Sequence, residues 1–152
     1  MVGYFLKKFR GMILFLFIIM SGILLAGCLN DQGERMVLLD EKITKIVLSK
    51  SLGVGEMNQD ELMNFEDSES IKVFERAIKT ATRQKTSGKL SNPDYDIQVR
   101  YAEGLPTHAI HLWIGEEGDK STLMYMVEKD GPYLTSIKMS TKLREIILSS
   151  KK

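Results

Sequence analysis

Few side chains in this 152-residue sequence have the chemistry for catalysis or metal binding: two histidines, His108 and His111, one tryptophan, Trp113, and one cysteine, Cys28. The first three share the segment Thr107-His108-Ala109-Ile110-His111-Leu112-Trp113, which alternates as a strand does. Alternation sends His108, Ile110 and Leu112 to one face and Ala109, His111 and Trp113 to the other, so the two imidazoles cannot share a metal ion. No further cysteine is present to complete a zinc set, and neither an HExxH nor a calcium-loop pattern occurs. We expect no metal and no cofactor.

Nucleophilic chemistry is equally unsupported. There is no GxSxG, and Ser149-Ser150-Lys151-Lys152 meets a Ser-x-x-Lys spacing only at a chain end, with no buried lysine to activate the hydroxyl. Gly53-Val54-Gly55 follows a strand but lacks the third glycine and the helix that would cradle a phosphate. Gly118-Asp119-Lys120-Ser121 falls short of a phosphate-binding loop, and both stretches read as turns. No catalytic residue is assigned, and the expectation is that the chain is not an enzyme. What remains is a surface: His111 and Trp113, with either Tyr125 or the pair Met124 and Met126 from the next strand, form an exposed binding patch. The alternative, which is favoured for Trp113, places it in the core beneath a helix, as a large indole is usually mostly covered.

The elements that position these residues follow from periodicity. Ile43-Thr44-Lys45-Ile46-Val47-Leu48 is β-branched and runs to Gly53 and Gly55, so it reads as a strand, and a weaker strand covers Glu61 to Phe65. From Asp67 the period changes, with Ile71, Phe74, Ile78 and Ala81 at helical spacing and Asp67 or Ser68 as N-cap. Glu66, Asp67 and Glu69 stand at the positive end of this helix and Lys79, Arg83 and Lys85 at the negative end, with Gly88 just beyond. Residues 85–93 compose a loop. Four alternating segments follow, at 94–102, 107–115, 120–128 and 133–138, separated by short turns that suit antiparallel hairpins. Ser140 caps a last helix with Leu143, Ile146 and Ile147 on one face. The order β-β-α-β-β-β-β-α specifies an α+β fold: an antiparallel sheet of five to six strands with two helices on one face, the other face open.

The remaining reactive residue, Cys28, is explained by its position. Residues 1–10 are a basic leader with Lys7, Lys8 and Arg10, and Met12 to Leu25 is an uncharged apolar stretch, the layout of an export signal and its apolar helix. Immediately after it, Leu25-Ala26-Gly27-Cys28 resembles the lipobox of bacterial lipoproteins at all four positions. That resemblance implies a diacylglyceryl thioether on the Cys28 sulfur and cleavage after Gly27. The alternative is an uncleaved transmembrane helix, for which the apolar run is near the lower limit of length. Two acyl chains anchor a protein stably without a basic patch. The resulting organisation is a removed signal at 1–27, a lipidated tether at 28–41 and a single α+β domain at 42–152. Within the tether, Met36-Val37-Leu38-Leu39 either packs on the domain or forms a short strand.

Charge narrows the partners. The sequence carries 21 basic and 20 acidic residues, and loss of residues 1–27 removes three of the basic ones, leaving a net charge of −2. That balance excludes an electrostatic nucleic-acid binder, which needs a basic excess. With one cysteine no internal disulfide forms, so the fold rests on packing.

From Ile43 to Leu148 the chain resembles a group of small lipoproteins of Bacillus-type bacteria, the YhfM-like proteins. The residues that carry the likeness are Ile43 to Ser51, Pro93-Asp94-Tyr95-Asp96, Gly104-Leu105-Pro106-Thr107-His108, His111-Leu112-Trp113, Lys120-Ser121-Thr122-Leu123-Met124-Tyr125 and Leu143-Arg144-Glu145-Ile146. It implies an address, the outer face of the cytoplasmic membrane, and no activity. The expected role is therefore a non-catalytic binding or interaction module, its partners the membrane through the lipid anchor and an envelope protein or small ligand. The second reading is a cell-envelope hydrolase or an inhibitor of one.

Overall fold

The computed structural model describes residues 33–85, 90–127 and 131–150. The export signal, its apolar helix and Cys28 lie outside the described residues. Among the described residues no helix is long and apolar enough to cross a membrane.

Seven strands form one antiparallel sheet: β1 (Lys45–Lys50), β2 (Glu61–Phe65), β3 (Thr82–Arg83), β4 (Tyr95–Arg100), β5 (His108–Trp113), β6 (Thr122–Tyr125) and β7 (Tyr133–Leu134). Their spatial order is β2-β1-β4-β5-β6-β7-β3. The consecutive run β4-β5-β6-β7 is the expected meander. The seventh strand, β3, was not expected, and it shortens the helix before it.

That helix, α1 (Ser68–Thr80), begins where the Asp67 carboxylate accepts a hydrogen bond from the Ser70 amide at 2.8 Å and buries Ile71, Phe74, Ala77 and Ile78. It stops at Thr80 rather than near Lys85 because Ala81 turns extended and Thr82–Arg83 pairs with β7. Arg83 is thus a strand residue, not a helix-end cation. The last helix, α2 (Ile137–Ser149), is capped by Ser136, four residues earlier than the expected Ser140. Ser140 is instead buried inside it, its hydroxyl accepting from the Ser121 amide at 2.6 Å and bonded to the Thr135 hydroxyl at 2.6 Å. These bonds anchor α2 to the β6 side of the sheet.

Both helices cover one face of the sheet. Ile46, Leu48, Tyr95, Ile97, Val99, Ile110, Leu112, Leu123 and Tyr133 meet Phe74, Ile78, Leu143 and Ile147 in one apolar cluster. Burial of this many aliphatic side chains, at about 1.5–3 kcal/mol each, is the main source of stability in a chain with no disulfide.

The apolar stretch 36–39 packs on the domain, the first of its two open alternatives, and is not itself a strand. Met36 and Leu38 are buried, Arg35 forms a β-bridge with Thr82, and the Arg83 amide donates to the Glu34 carbonyl at 2.7 Å. Two tyrosines fasten it further. The Tyr125 hydroxyl accepts from the Val37 amide at 2.6 Å and donates to the Val37 carbonyl at 2.5 Å, and the Tyr101 hydroxyl accepts from the Leu39 amide at 3.3 Å. Free coil in the described part of the tether is therefore absent: from Glu34 onward the strap is bonded to the sheet edge.

Candidate functional site

The face away from the helices, left as the side that could be open, is covered where it carries His111. Cross-strand neighbours share a face, so the register Ser49↔Asp96 and Asp96↔His111 lines up three polar side chains in one row across β1, β4 and β5. All three are buried, His111 with 0 % and Asp96 and Ser49 each with 1 % exposure. The cover is the 51–60 segment between β1 and β2, together with residues near Ser91.

Two members of the row are bonded to each other. Asp96 Oδ1 lies 2.8 Å from His111 Nδ1, and its Oδ2 accepts from the Asn58 amide at 3.2 Å. On the far side of the ring, His111 Nε2 accepts from the Gly55 amide at 3.0 Å. An acceptor at Nε2 requires the proton to sit on Nδ1, where it donates to the carboxylate; the tautomer follows from the network. The result is a neutral imidazole oriented by a buried carboxylate, with its basic nitrogen turned toward the 51–60 segment. On the other side of Asp96 from the imidazole, the hydroxyl of Ser49, at a register shift in the β1–β2 pairing, has no hydrogen-bond partner. Buried polar atoms are nearly always bonded, so this hydroxyl is an exception in the domain.

The expected exposed patch of His111 and Trp113 is corrected by this arrangement. His111 is enclosed, and Trp113 is only 9 % exposed, its indole N–H donating to the Ser91 carbonyl at 2.9 Å. Nor does Trp113 lie beneath a helix. It shares the polar face with His111, the two rings meeting edge-on with centroids 6.1 Å apart, because the 51–60 and 90–94 segments roof this face. Tyr125 belongs to the opposite face and fastens the strap instead.

His108, as alternation required, stands on the helix side. Its Nδ1 is 2.9 Å from the Tyr101 hydroxyl, which also accepts from the Leu39 amide. Burial pushes the His108 pKa below the ordinary histidine value and, as its largest cause, raises that of Tyr101. This second histidine is part of the strap's fastening. Among the described residues no group of three metal-ligating side chains converges.

Sequence reasoning missed Asp96, Ser49 and Gly55. A signal for Asp96 was present: aspartate is depleted in strand interiors, yet this one stands between Tyr95 and Ile97 with the parity of a covered face.

No curated protein matches the chain. Among solved structures, the crystal structure of a thioesterase-like protein from Clostridium sporogenes is similar at 15 % identity, with a TM-score of 0.52 over 70 % of this chain and 94 % of that one. A likeness at that identity concerns the fold. The expectation of a non-catalytic binding or interaction module, drawn from the tether, the compact α+β pattern and a missing catalytic set, is corrected on two findings, this likeness and the enclosed His111–Asp96 pair. The family model described as YhfM protein matches residues 39–152, and the chain belongs to that family.

Proposed function

We propose that this protein is a lipid-anchored hydrolase of the cell envelope, with His111 as its general base and Asp96 as the group that orients it. The observation that carries this is the buried pair itself: Nδ1 fixed at 2.8 Å by a carboxylate, leaving Nε2 as the basic atom. In that geometry an imidazole takes a proton from water while the carboxylate stabilises the imidazolium that forms. Acyl thioesters and acyl esters are the substrates to try first, a choice supported by the shared fold of a thioesterase-like protein. The reaction is a hydrolysis: the oxygen of water bonds to the acyl carbon, its proton passes to His111 Nε2, and the same proton leaves with the sulfur or oxygen as the carbon–sulfur or carbon–oxygen bond breaks. The Gly55 amide occupies Nε2 in the described conformation, so turnover requires the 51–60 segment to move.

The test is turnover of an acyl thioester and acyl ester panel by the full lipidated chain in vesicles, wild type against His111→Asn. Asparagine keeps a donor for Asp96 and lacks the basic nitrogen. General base loss lowers kcat/KM by roughly 10²–10⁴-fold; an unchanged rate, or a wild type inactive on the whole panel, rejects the assignment.

The location rests on Cys28 and its lipobox. Diacylglyceryl on the Cys28 sulfur and a cut after Gly27 place the domain at the outer face of the cytoplasmic membrane, with no need of nucleic acid or a basic patch. Cys28→Ala is expected to leave an unlipidated precursor that no longer partitions into the detergent phase; unchanged lipid labelling would refute it.

A further inference from the structure

The segment that encloses His111 has no anchor in the core. None of residues 51–60 is buried, and two apolar side chains face water, Leu52 at 59 % and Val54 at 55 % exposure. Beside the segment's return, Leu62 on β2 is exposed as well. Gly53 and Gly55 have φ of +134° and +86°, with nothing within 4 Å of where a side chain would begin, so the backbone on either side of Val54 can rotate without clash. Its attachment to the sheet is polar and sparse: the Ser51 amide to the Asp94 carbonyl at 3.4 Å, the Gly55 amide to His111, and Asn58 to Asp96 and to the Lys50 carbonyl. A segment with no core residue and apolar groups on its outer side is held shut by hydrogen bonds and gains by meeting an apolar medium.

The same sequence supplies that medium. Four residues, Leu29 to Gln32, separate Cys28 from Gly33, so the two are five chain steps apart, a span of at most about 17 Å when extended, and the strap bonds the chain to the domain from Glu34 on. The domain therefore cannot drift away from the lipid to which Cys28 ties it.

We propose that residues 51–60 are a lid that opens at the lipid surface: Leu52 and Val54 enter the acyl region, the Gly55 amide leaves His111 Nε2, and the substrate admitted is an acyl compound carried in the membrane. This rests on the hydrolase and lipid-anchor readings above, and its test has a part that does not depend on catalysis.

Cys28 is the only native cysteine and is acylated, so Val54→Cys can be labelled with an environment-sensitive fluorophore in the full lipidated chain, reconstituted in phosphatidylcholine vesicles. Val127→Cys, at a position 92 % exposed on the turn after β6, serves as the comparison. With nitroxide-labelled acyl chains in the bilayer, the Val54 label is quenched and the Val127 label is not. Replacing His111 with Phe, which removes the acceptor that latches Gly55, increases the Val54 quenching. Equal, weak quenching at both positions with full access to aqueous iodide overturns the lid. In the catalytic arm, Leu52→Ser/Val54→Ser loses at least tenfold in turnover of a bilayer-borne long-chain thioester and keeps its rate on a water-soluble short-chain one; equal loss on both overturns the substrate class. A wild type that turns over neither thioester while Val54 is quenched removes the hydrolase reading and leaves the lid standing.

Discussion

Replacing His111 with Phe keeps a flat ring, somewhat larger than imidazole, and deletes both ring nitrogens, which turns the buried row into a measurable energy. The Asp96 carboxylate is 1 % exposed and has two donors, His111 Nδ1–H at 2.8 Å and the Asn58 amide at 3.2 Å. The substitution removes the shorter. A buried group that loses its partner costs about 1–3 kcal/mol, and more when it is charged. The Gly55 amide loses its acceptor too, but Gly55 is exposed, so water replaces it at little cost. The expected destabilisation is therefore about 2–4 kcal/mol, nearly all of it the stranded carboxylate. That attribution is testable with a double-mutant cycle, because Asp96→Asn in the His111→Phe background removes the stranded charge. The double variant should be more stable than the sum of the single effects by about 1–3 kcal/mol. Urea unfolding of the detergent-solubilised chain near pH 7, with unchanged m-values, reads all four corners. A single variant within about 0.5 kcal/mol of wild type, or strict additivity, would refute the reasoning that the carboxylate is the costly partner.

Three further expectations follow from the strap and the helix anchor. His108 is held neutral by burial, so the folded chain binds fewer protons than the unfolded chain below the ordinary histidine value of about 6.5. Its contribution is present above that value and is lost as pH falls through the lower folded value; thermal midpoints from about pH 7.5 down to about pH 5 should fall less steeply in His108→Gln, and an identical slope would contradict this. Tyr125→Phe deletes both bonds to Val37 and should cost about 1–2 kcal/mol, with faster hydrogen exchange at Val37 and Leu39; unaltered exchange there would mean that the Tyr125 bonds do not hold the strap. Ser140→Ala leaves the buried Ser121 amide with only the longer bond to the Thr135 hydroxyl at 3.2 Å, and equilibrium unfolding should show a loss of about 1–2 kcal/mol, whereas no change would assign that amide to Thr135.

The parts of the fold legible in the sequence were those set by local periodicity. Period-two alternation located β4 to β7 and put His108 and His111 on opposite faces, and helical spacing with Asp67 located α1. What failed did so where a distant partner decides. Arg83 looked like the basic end of a helix until β7 and the strap claimed Thr82–Arg83. Ser140 looked like a cap because its bonds to Ser121 and Thr135 cross from another element, while Ser136 met the helix start. The strap stayed ambiguous for the same reason, since Val37 finds its partner 88 residues away at Tyr125.

The candidate site divides along the same line. The sequence by itself determined that His111 and Trp113 share a face and that His108 is not with them, because side-chain direction along a strand depends only on the strand. It also determined, through Leu25-Ala26-Gly27-Cys28, the expected address. Only the tertiary structure decided that the His111 face is covered, that Asp96 and Ser49 stand beside it, and that Gly55 is on its nitrogen. Those facts depend on register between β1, β4 and β5 and on the path of the 51–60 segment, both of which are set by packing among residues far apart in the chain. The same imidazole is a surface ligand or an enclosed base according to what that packing lays over it.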